Sequence, residues 1–595
     1  MVFESKKKQS RKTKHAAGQP ASKLQSLEQF VVEEIEMAGD VALPMGGRAA
    51  KKRLRWLAPA KRIAAWTGLW ALLFVAAFTS RSLWPVDETR LLASAWDMWL
   101  RGSYLVPEMN GAVFSQQPPL ILWLYLIGWK LVGVNSWWPR LVPALFGLAS
   151  MFLSGAMARF LWPGRSDVAR YAPVVLLGTS FWAYFTTLAL PTLVVTFFTL
   201  LALYAILWTW RKRDFRVWLL LALAFGLGTL AGGIMIYIYV LPPALLAPLW
   251  ANTSPKPRWK YWYVDILKAS LLGLGIFLAW GIMAFLRSDP QALSFVFFSW
   301  PGRSSLSMFP TGNAWWWYLL LLPVLGLPWS IWPLVWARFW HIRRAALNSG
   351  LLFCMAWAIP GILILSLFAV RQPQFLLPMV PAFSLTVTYL LLDDDLVEHA
   401  HDTIISSMAW PIIVAGGLLA IVPGLPRIDF LPTFLWQVSP FVGIAIVLVG
   451  MALGWVPLPP IRQRVVNVAG AVVALAVFAL LLIGWQFNPI YQISDIANVL
   501  SVAQHEQRPI AHVGTYDGQY QFAGRLKQPL DVIDAGATGQ WMATHPRGLL
   551  VTYTGGWQPA PNADVKLVFE HPYLDQSVRI WKVVAPPGNT FLKQP

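Results

Sequence analysis

The sequence predicts a polytopic α-helical membrane protein that carries a small α/β domain at its C-terminal end. Three observations predict it. Hydrophobic runs close to the roughly 20 residues that cross a bilayer recur from Ile63 to Trp485. The 595 residues are 57% hydrophobic, with 35 Trp and 33 Phe, above the apolar share of about 45–50% in soluble domains. After Trp485 the long apolar runs give way to short strand-like ones between polar turns.

Residues 1–62 read as a basic, mostly disordered cytoplasmic tail rich in Ser, Lys, Gln and Ala. Lys6-Lys7-Lys8 and Lys51-Lys52-Arg53 precede no apolar run until Ile63, so the segment does not read as a signal peptide. Within it, Leu27, Phe30, Val31 and Ile35 share one face of a short amphipathic helix. A basic tail beside the first span is expected to stay inside and meet anionic lipid. The net charge of +19 lies largely in this tail and in short loops between spans. That is the positive-inside pattern rather than a binding stripe, so nucleic acid is not an expected partner. The single cysteine, Cys354, lies in an apolar run and excludes an intrachain disulfide.

Residues 63–486 divide into about thirteen spans: 63–80, 139–161, 171–188, 190–209, 217–233, 235–250, 264–286, 315–336, 350–369, 374–392, 408–425, 436–455 and 465–486. With the N-terminus inside, five of the six inner loops carry Lys or Arg, most clearly Arg211-Lys212-Arg213 and Arg343-Arg344; the loop with Asp393-Asp394-Asp395 is the exception. An odd number of spans places the C-terminus outside.

Two long loops, 81–138 and 287–314, then also fall outside. The first holds two expected surface helices, Leu91–Leu100 and Pro119–Val132. Pro118-Pro119 suits a helix start, where proline loses no needed hydrogen bond. Trp123, Tyr125 and Trp129 suit the membrane interface.

The outer loop opens with Asp87-Glu88 where the first span leaves the bilayer. Acids at a membrane surface are costly to desolvate and point to function, although a lone acidic dipeptide is more often a solvated helix end. As a metal site the pair is weak, since no HxxE, HExxH or DxD pattern accompanies it.

Residues 487–595 are expected to fold outside as the α/β domain. Ser494-Asp495 can cap a helix with Ile496, Val499, Leu500 and Ala503 on one face. Strands are expected at 509–513, 548–554, 564–569 and 578–584, with a helix at 535–544. Asp517, Asp531 and Asp534 read as solvated loop acids. Trp541, Tyr553 and Trp557 can stack on sugars, though core packing explains such aromatics more often. His505, His512, His545 and His571 have no metal-ligand spacing. Acceptor recognition or active-site cover is the expected role of this domain.

Four segments carry a resemblance. They are Asp87-Glu88-Thr89-Arg90, the loop from Val106-Pro107 through Asn110-Gly111 to Gln116-Gln117-Pro118-Pro119-Leu120, the pair Trp317-Tyr318 with Leu327-Pro328-Trp329-Ser330, and Arg371-Gln372-Pro373-Gln374-Phe375-Leu376-Leu377-Pro378. In order and spacing the chain resembles the lipid-phosphate-sugar-dependent glycosyltransferases related to protein O-mannosyltransferases. It is most similar to the branch that includes aminoarabinose lipid A transferases.

The resemblance implies a GT-C architecture and sugar transfer from a polyprenyl (undecaprenyl) phosphate to a lipid, glycan or protein acceptor. The reaction is expected at the outer face of the bacterial inner membrane. It implies Asp87 as the base and Glu88 as its support or a ligand for a divalent ion; no other cofactor is expected. Arg90 and Arg371 are the expected partners of the donor phosphate, with Arg287 and Arg303 as outer-loop alternatives. Gln116, Gln117 and Pro118 line the acceptor region. Arg140, at the start of a span, reads equally well as a snorkelling anchor.

Departures from the family pattern leave other readings open. Gln116-Gln117 stands where relatives have Glu-Lys, Pro191-Thr192 where they have an acid, and Leu230-Ala231-Gly232-Gly233 where they have Lys-Gly. The chain can therefore be an active transferase or a homologue that binds lipid or glycan without turnover. A transporter ranks third, because most spans lack ionisable residues and no inverted repeat is visible.

Overall fold

The apolar runs become helices because a bilayer offers a backbone N–H no partner except the segment's own carbonyls. In the computed structural model the described residues are 45–584 apart from 115–116, 213–215, 253–257, 288–313, 343–346, 369–370, 394–404, 427–435, 437, 456–459, 561–563 and 574–575. Leu27, Phe30, Val31, Ile35, Gln116 and Arg303 therefore lie outside the described residues. The first helix runs Met45–Ser80 and so takes in the last part of the expected tail.

Among the described residues seven helical segments are long and apolar enough to cross a membrane: Ile63–Ser80, Trp137–Leu161, Thr192–Arg211, Trp259–Arg287, Ser349–Ser366, Pro373–Leu392 and Ile461–Leu482. Five shorter apolar helices accompany them, among them Leu120–Val132 in the loop that follows the first span.

Several expected spans are interrupted. The run 171–188 divides into helices Ser166–Leu177 and Ser180–Phe185 around Gly178-Thr179. An added Cβ at Gly178 would lie 2.7 Å from Ala469 Cα, so a larger residue would push the neighbouring helix away. The run 315–336 divides into Trp317–Leu325, a 3₁₀ turn Trp329–Ile331 and Pro333–Ile342. Pro328 and Pro333 donate no backbone hydrogen bond, which accounts for breaks there.

The two expected outer helices form, as Asp87–Arg101 and Leu120–Val132. Between them β1 (Glu108–Met109) and β2 (Ala112–Val113) pair antiparallel. Asn110 and Gly111 turn the hairpin with φ of +53° and +80°, the positive values a two-residue turn demands and an Asn-Gly pair accepts.

The C-terminal part forms a five-stranded sheet in the order β4-β3-β5-β7-β6. β3 (Ile510–Val513) pairs parallel with β4 (Asp531–Ile533) and with β5 (Leu549–Tyr553). β6 (Val565–Tyr573) and β7 (Gln576–Val583) complete it antiparallel. Helix Ser494–His505 covers one face and buries Ile496, Ala497, Leu500 and Ala503 against Ile510, Leu549 and Ile580. Ser494 and Asp495 sit in its first turn; Ile493 occupies the cap position. Gly68–Pro595 form one compact unit, so this sheet belongs to the same body as the spans.

Candidate active site

Asp87 is the first residue of helix Asp87–Arg101, following Val86 at the cap position. An acid there complements the positive end of the helix dipole. Asp87 is half-buried, while Glu88, Thr89 and Arg90 are buried. Burial pushes the Asp87 carboxyl above the ordinary carboxylate range; Arg90 opposes the shift, and the Glu88 and Asp517 carboxylates add to it. A carboxyl held up in this way is the stronger proton acceptor.

Glu88 faces inward, 2% exposed. Its Oε2 accepts from Arg81 Nη1 at 2.7 Å and Trp84 N at 2.9 Å, and its Oε1 from Arg81 Nη2 at 2.9 Å and Ala189 N at 2.7 Å. Burial opposes its ionisation, yet Arg81, Arg140 and the Ala189 N–H together hold its carboxyl down at about 2. With both oxygens so engaged, Glu88 does not fit a divalent ion. The described residues contain no cluster of three or more His, Cys, Asp or Glu suited to one.

Arg81 was not singled out in the sequence, because an arginine just past a span reads as an interfacial anchor. Its place seven residues before Glu88 was the available signal. Arg81 also donates to Thr187 O. Arg140 is 6% exposed and donates to Arg81 O at 3.1 Å, so it points into this cluster rather than snorkelling.

Arg90 pairs with Asp517 of the C-terminal domain, Nη2 to Oδ1, at 2.5 Å. This corrects the reading of Asp517 as a solvated loop acid. The surrounding segment is held on helices Asp87–Arg101 and Leu120–Val132 by further contacts. Trp96 Nε1 donates to Leu526 O at 2.8 Å, and Gln521 Nε2 donates to Asp97 Oδ1 at 3.2 Å. Asn110 pairs with Leu530 in both directions, at 2.9 and 2.7 Å. Phe522 stacks on Trp129 with centroids 5.2 Å apart and 3° between planes.

The other expected site residues lie elsewhere. Arg371 is half-buried, its Nε donating to Ser366 O at 3.0 Å. It precedes the 3₁₀ helix Pro373–Met379, and Tyr318 donates to the neighbouring Gln372 O at 3.0 Å. Gln117 Nε2 donates to Ala231 O at 2.8 Å, joining the loop to helix Arg216–Gly232. Pro118 is half-buried just before helix Leu120–Val132. Arg287 is exposed at the end of helix Trp259–Arg287.

Two apolar cavities lie among the described residues. One of about 310 Å³ is lined by Trp84, Tyr184 and Thr187 beside the Arg81–Glu88 pair, and by Val472 and Phe478. The other, of about 470 Å³, is lined by Leu376 and Met379 in the 3₁₀ helix after Arg371, and by Cys354 of helix Ser349–Ser366 and Leu322 of helix Trp317–Leu325.

The C-terminal aromatics serve packing and a polar network. Trp541 is 7% exposed, donates to Asp531 Oδ2 at 2.9 Å and stacks on His545. The Tyr553 hydroxyl meets His512 Nε2 at 3.2 Å, Gln519 Nε2 at 2.7 Å and the Tyr520 hydroxyl at 2.9 Å. Burial holds His512 down at about 4 and pushes the Tyr553 hydroxyl up to about 12, so both are neutral near pH 7.

The sequence model of the dolichyl-phosphate-mannose-protein mannosyltransferase family matches residues 116–282. Curated relatives include undecaprenyl phosphate-alpha-4-amino-4-deoxy-L-arabinose arabinosyl transferase 2 of Pseudomonas fluorescens (strain Pf0-1). It is 26% identical over 341 residues, which are 55% of this chain and 59% of that one. The corresponding Pseudomonas aeruginosa (strain LESB58) transferase is 27% identical over 339 residues, covering 54% and 58%. The chain thus spans under two thirds of the length of these relatives. Among solved structures, apo ArnT from Cupriavidus metallidurans superposes with a TM-score of 0.69 at 18% identity, covering 90% of this chain and all of that one. The chain thus shares the fold of apo ArnT across nine-tenths of its length and is similar in sequence to these lipid-phosphate-dependent glycosyltransferases over part of it.

Proposed function

We propose that the protein transfers a sugar from a polyprenyl phosphate, undecaprenyl phosphate in bacteria, to a hydroxyl of a lipid, glycan or protein. The reaction takes place at the outer face of the inner membrane, with the N-terminus inside and the C-terminal domain outside. The observation that carries this reading is Asp87: a half-buried carboxyl with a raised pKa, at a helix start, one turn from Arg90.

The acceptor hydroxyl attacks the anomeric carbon and gives its proton to the Asp87 carboxylate. The bond from that carbon to the phosphate oxygen breaks, and the phosphate leaves with the electron pair. It needs no general acid; it needs cations, and Arg90 and Arg371 supply them. Glu88 acts by fixing Asp87 rather than by touching substrate. The two apolar cavities fit stretches of lipid chain. The names of the arabinosyl transferase relatives and the undecaprenyl phosphate bound in a second ArnT structure of the same fold support the donor class.

One observation favours a second reading, a lipid- or glycan-binding partner without turnover. Gln117, where relatives carry a cation, spends its amide on Ala231 O.

The deciding experiment follows transfer from radiolabelled undecaprenyl-phosphate sugars in membranes containing wild type or Asp87→Asn. Transfer by wild type that the variant loses at equal expression supports the enzyme. Transfer persisting in the variant removes Asp87 from the mechanism, and none with a broad donor panel favours the binding partner.

A further inference from the structure

We propose that Asp517 is a positioning residue of the transfer centre: its ion pair fixes Arg90 beside Asp87, so the C-terminal domain completes the active site. This rests on the reading of Asp87 as the base.

Arg90 stands three residues after Asp87, on the same helix face. Asp517 pairs with Arg90 at 2.5 Å, with the two side chains 6% and 17% exposed. The loop bearing Asp517 is itself held. Its backbone N–H donates to Gln519 Oε1 at 3.0 Å, and Gln519 in turn donates to Tyr553 OH at the end of β5.

Gly518 follows, with φ of +71°. A Cβ there would come within 2.8 Å of both Ala93 Cβ and Met109 Sδ, so only glycine lets this loop lie so close to helix Asp87–Arg101. Docking of the segment is already served by the Trp96, Gln521 and Asn110 bonds. The charged pair adds a set position for Arg90.

The ionisable neighbours of Asp87 are Arg90 and Glu88 on its own helix and Asp517 on the facing loop. Removing the Asp517 charge takes away an anion that raises the Asp87 carboxyl and weakens the hold on Arg90 beside it. The base then loses its proton at lower pH and becomes weaker, and Arg90 loses its set position.

The test compares the purified full chain in nanodiscs as wild type, Asp517→Asn, Asn110→Ala and Asp87→Asn. Asn110→Ala cuts the bonds to Leu530 but leaves the ion pair, so it reports docking alone. Asp517→Asn is expected to lower kcat about ten- to hundredfold and, because Arg90 also meets the donor phosphate, to raise donor KM. It should also move the acid limb of the kcat profile to lower pH, while Asn110→Ala leaves that limb in place. An unshifted limb in Asp517→Asn, or the same shift in Asn110→Ala, overturns the proposal.

A readout without turnover separates this from failure of the transfer reading. Difference infrared titration of the Asp87 carboxyl, assigned with Asp87→Asn, should give a lower midpoint in Asp517→Asn. An unchanged midpoint refutes the positioning role. A shifted midpoint in a protein that transfers no sugar upholds the coupling and removes the transferase.

Discussion

Arg81 and Glu88 meet through two N–H···O bonds of 2.7 and 2.9 Å across the short loop that leaves the first long apolar helix. The same carboxylate accepts from the backbone of Trp84 and Ala189. One buried side chain thus ties three segments together. Consecutive helical residues point about 100° apart, so turning Glu88 inward leaves Asp87 at the half-exposed edge.

Glu88→Gln tests this arrangement through stability. The folded carboxyl titrates at about 2, below its ordinary value of 4.5. A depressed carboxylate contributes stability that is present above the unfolded value and lost as pH falls through the folded one. Breaking a buried pair by removing one charge costs about 3–5 kcal/mol. Thermal unfolding in detergent should therefore show a large deficit for Glu88→Gln at pH 7 that shrinks from pH 4.5 downward. Equal stability at pH 7 would mean that the pair does not hold the loop.

Asp87→Asn should behave in the opposite way. Its folded carboxyl lies above the ordinary 3.8, so folding disfavours the ionised form and stability falls as pH rises through that window. A neutral isostere removes this cost. The variant should unfold at or above the wild-type Tm at pH 7 while transfer drops about 10²–10⁴-fold, the usual worth of a positioned base. A lowered Tm would assign Asp87 to structure.

The acids of the site were legible because they stand together, at a place where desolvation is costly. Two helices in the loop after the first span were legible, expected at Leu91–Leu100 and Pro119–Val132 and found at Asp87–Arg101 and Leu120–Val132; Pro118-Pro119 marked the start of the second. Their chief partners were not. Arg90 and Asp517 are 427 residues apart, and no local periodicity encodes such a pairing. β4 was missed because two of its three residues are exposed, which leaves no alternation to read. The breaks at Gly178 and Pro328 were missed because hydropathy averages across them, while backbone geometry does not.

Arg371→Gln bears on the donor. A charge-assisted hydrogen bond to phosphate is worth about 1.5–3 kcal/mol, so donor KM should rise roughly 10- to 100-fold. Arg371→Lys should restore little, because an ammonium cannot reproduce the planar fork. The parallel variant Arg287→Gln should leave KM near wild type. If the effects were reversed, the phosphate would sit by the end of helix Trp259–Arg287.

Phe522→Ala reports on how the C-terminal domain is held. The ring is 4% exposed, lies flat on Trp129, meets the edge of Trp96 at 6.4 Å and carries the Arg525 guanidinium 3.8 Å from its centre. Deleting a buried phenyl ring costs about 3–5 kcal/mol, and here that cost falls on the contact between the 516–530 segment and the outer helices. The five-stranded sheet has a separate core around Ile496, Leu500, Val551 and Ile580 and should persist. The variant should therefore open locally rather than unfold. Trypsin reads the opening at exposed Lys527, where cleavage should quicken about tenfold or more because it follows the population of the open form. Transfer should fall in parallel, since the same segment carries Asp517 to Arg90. Unchanged cleavage at Lys527 would show that the remaining bonds of Trp96, Asn110 and Gln521 hold the segment without the aromatic stack.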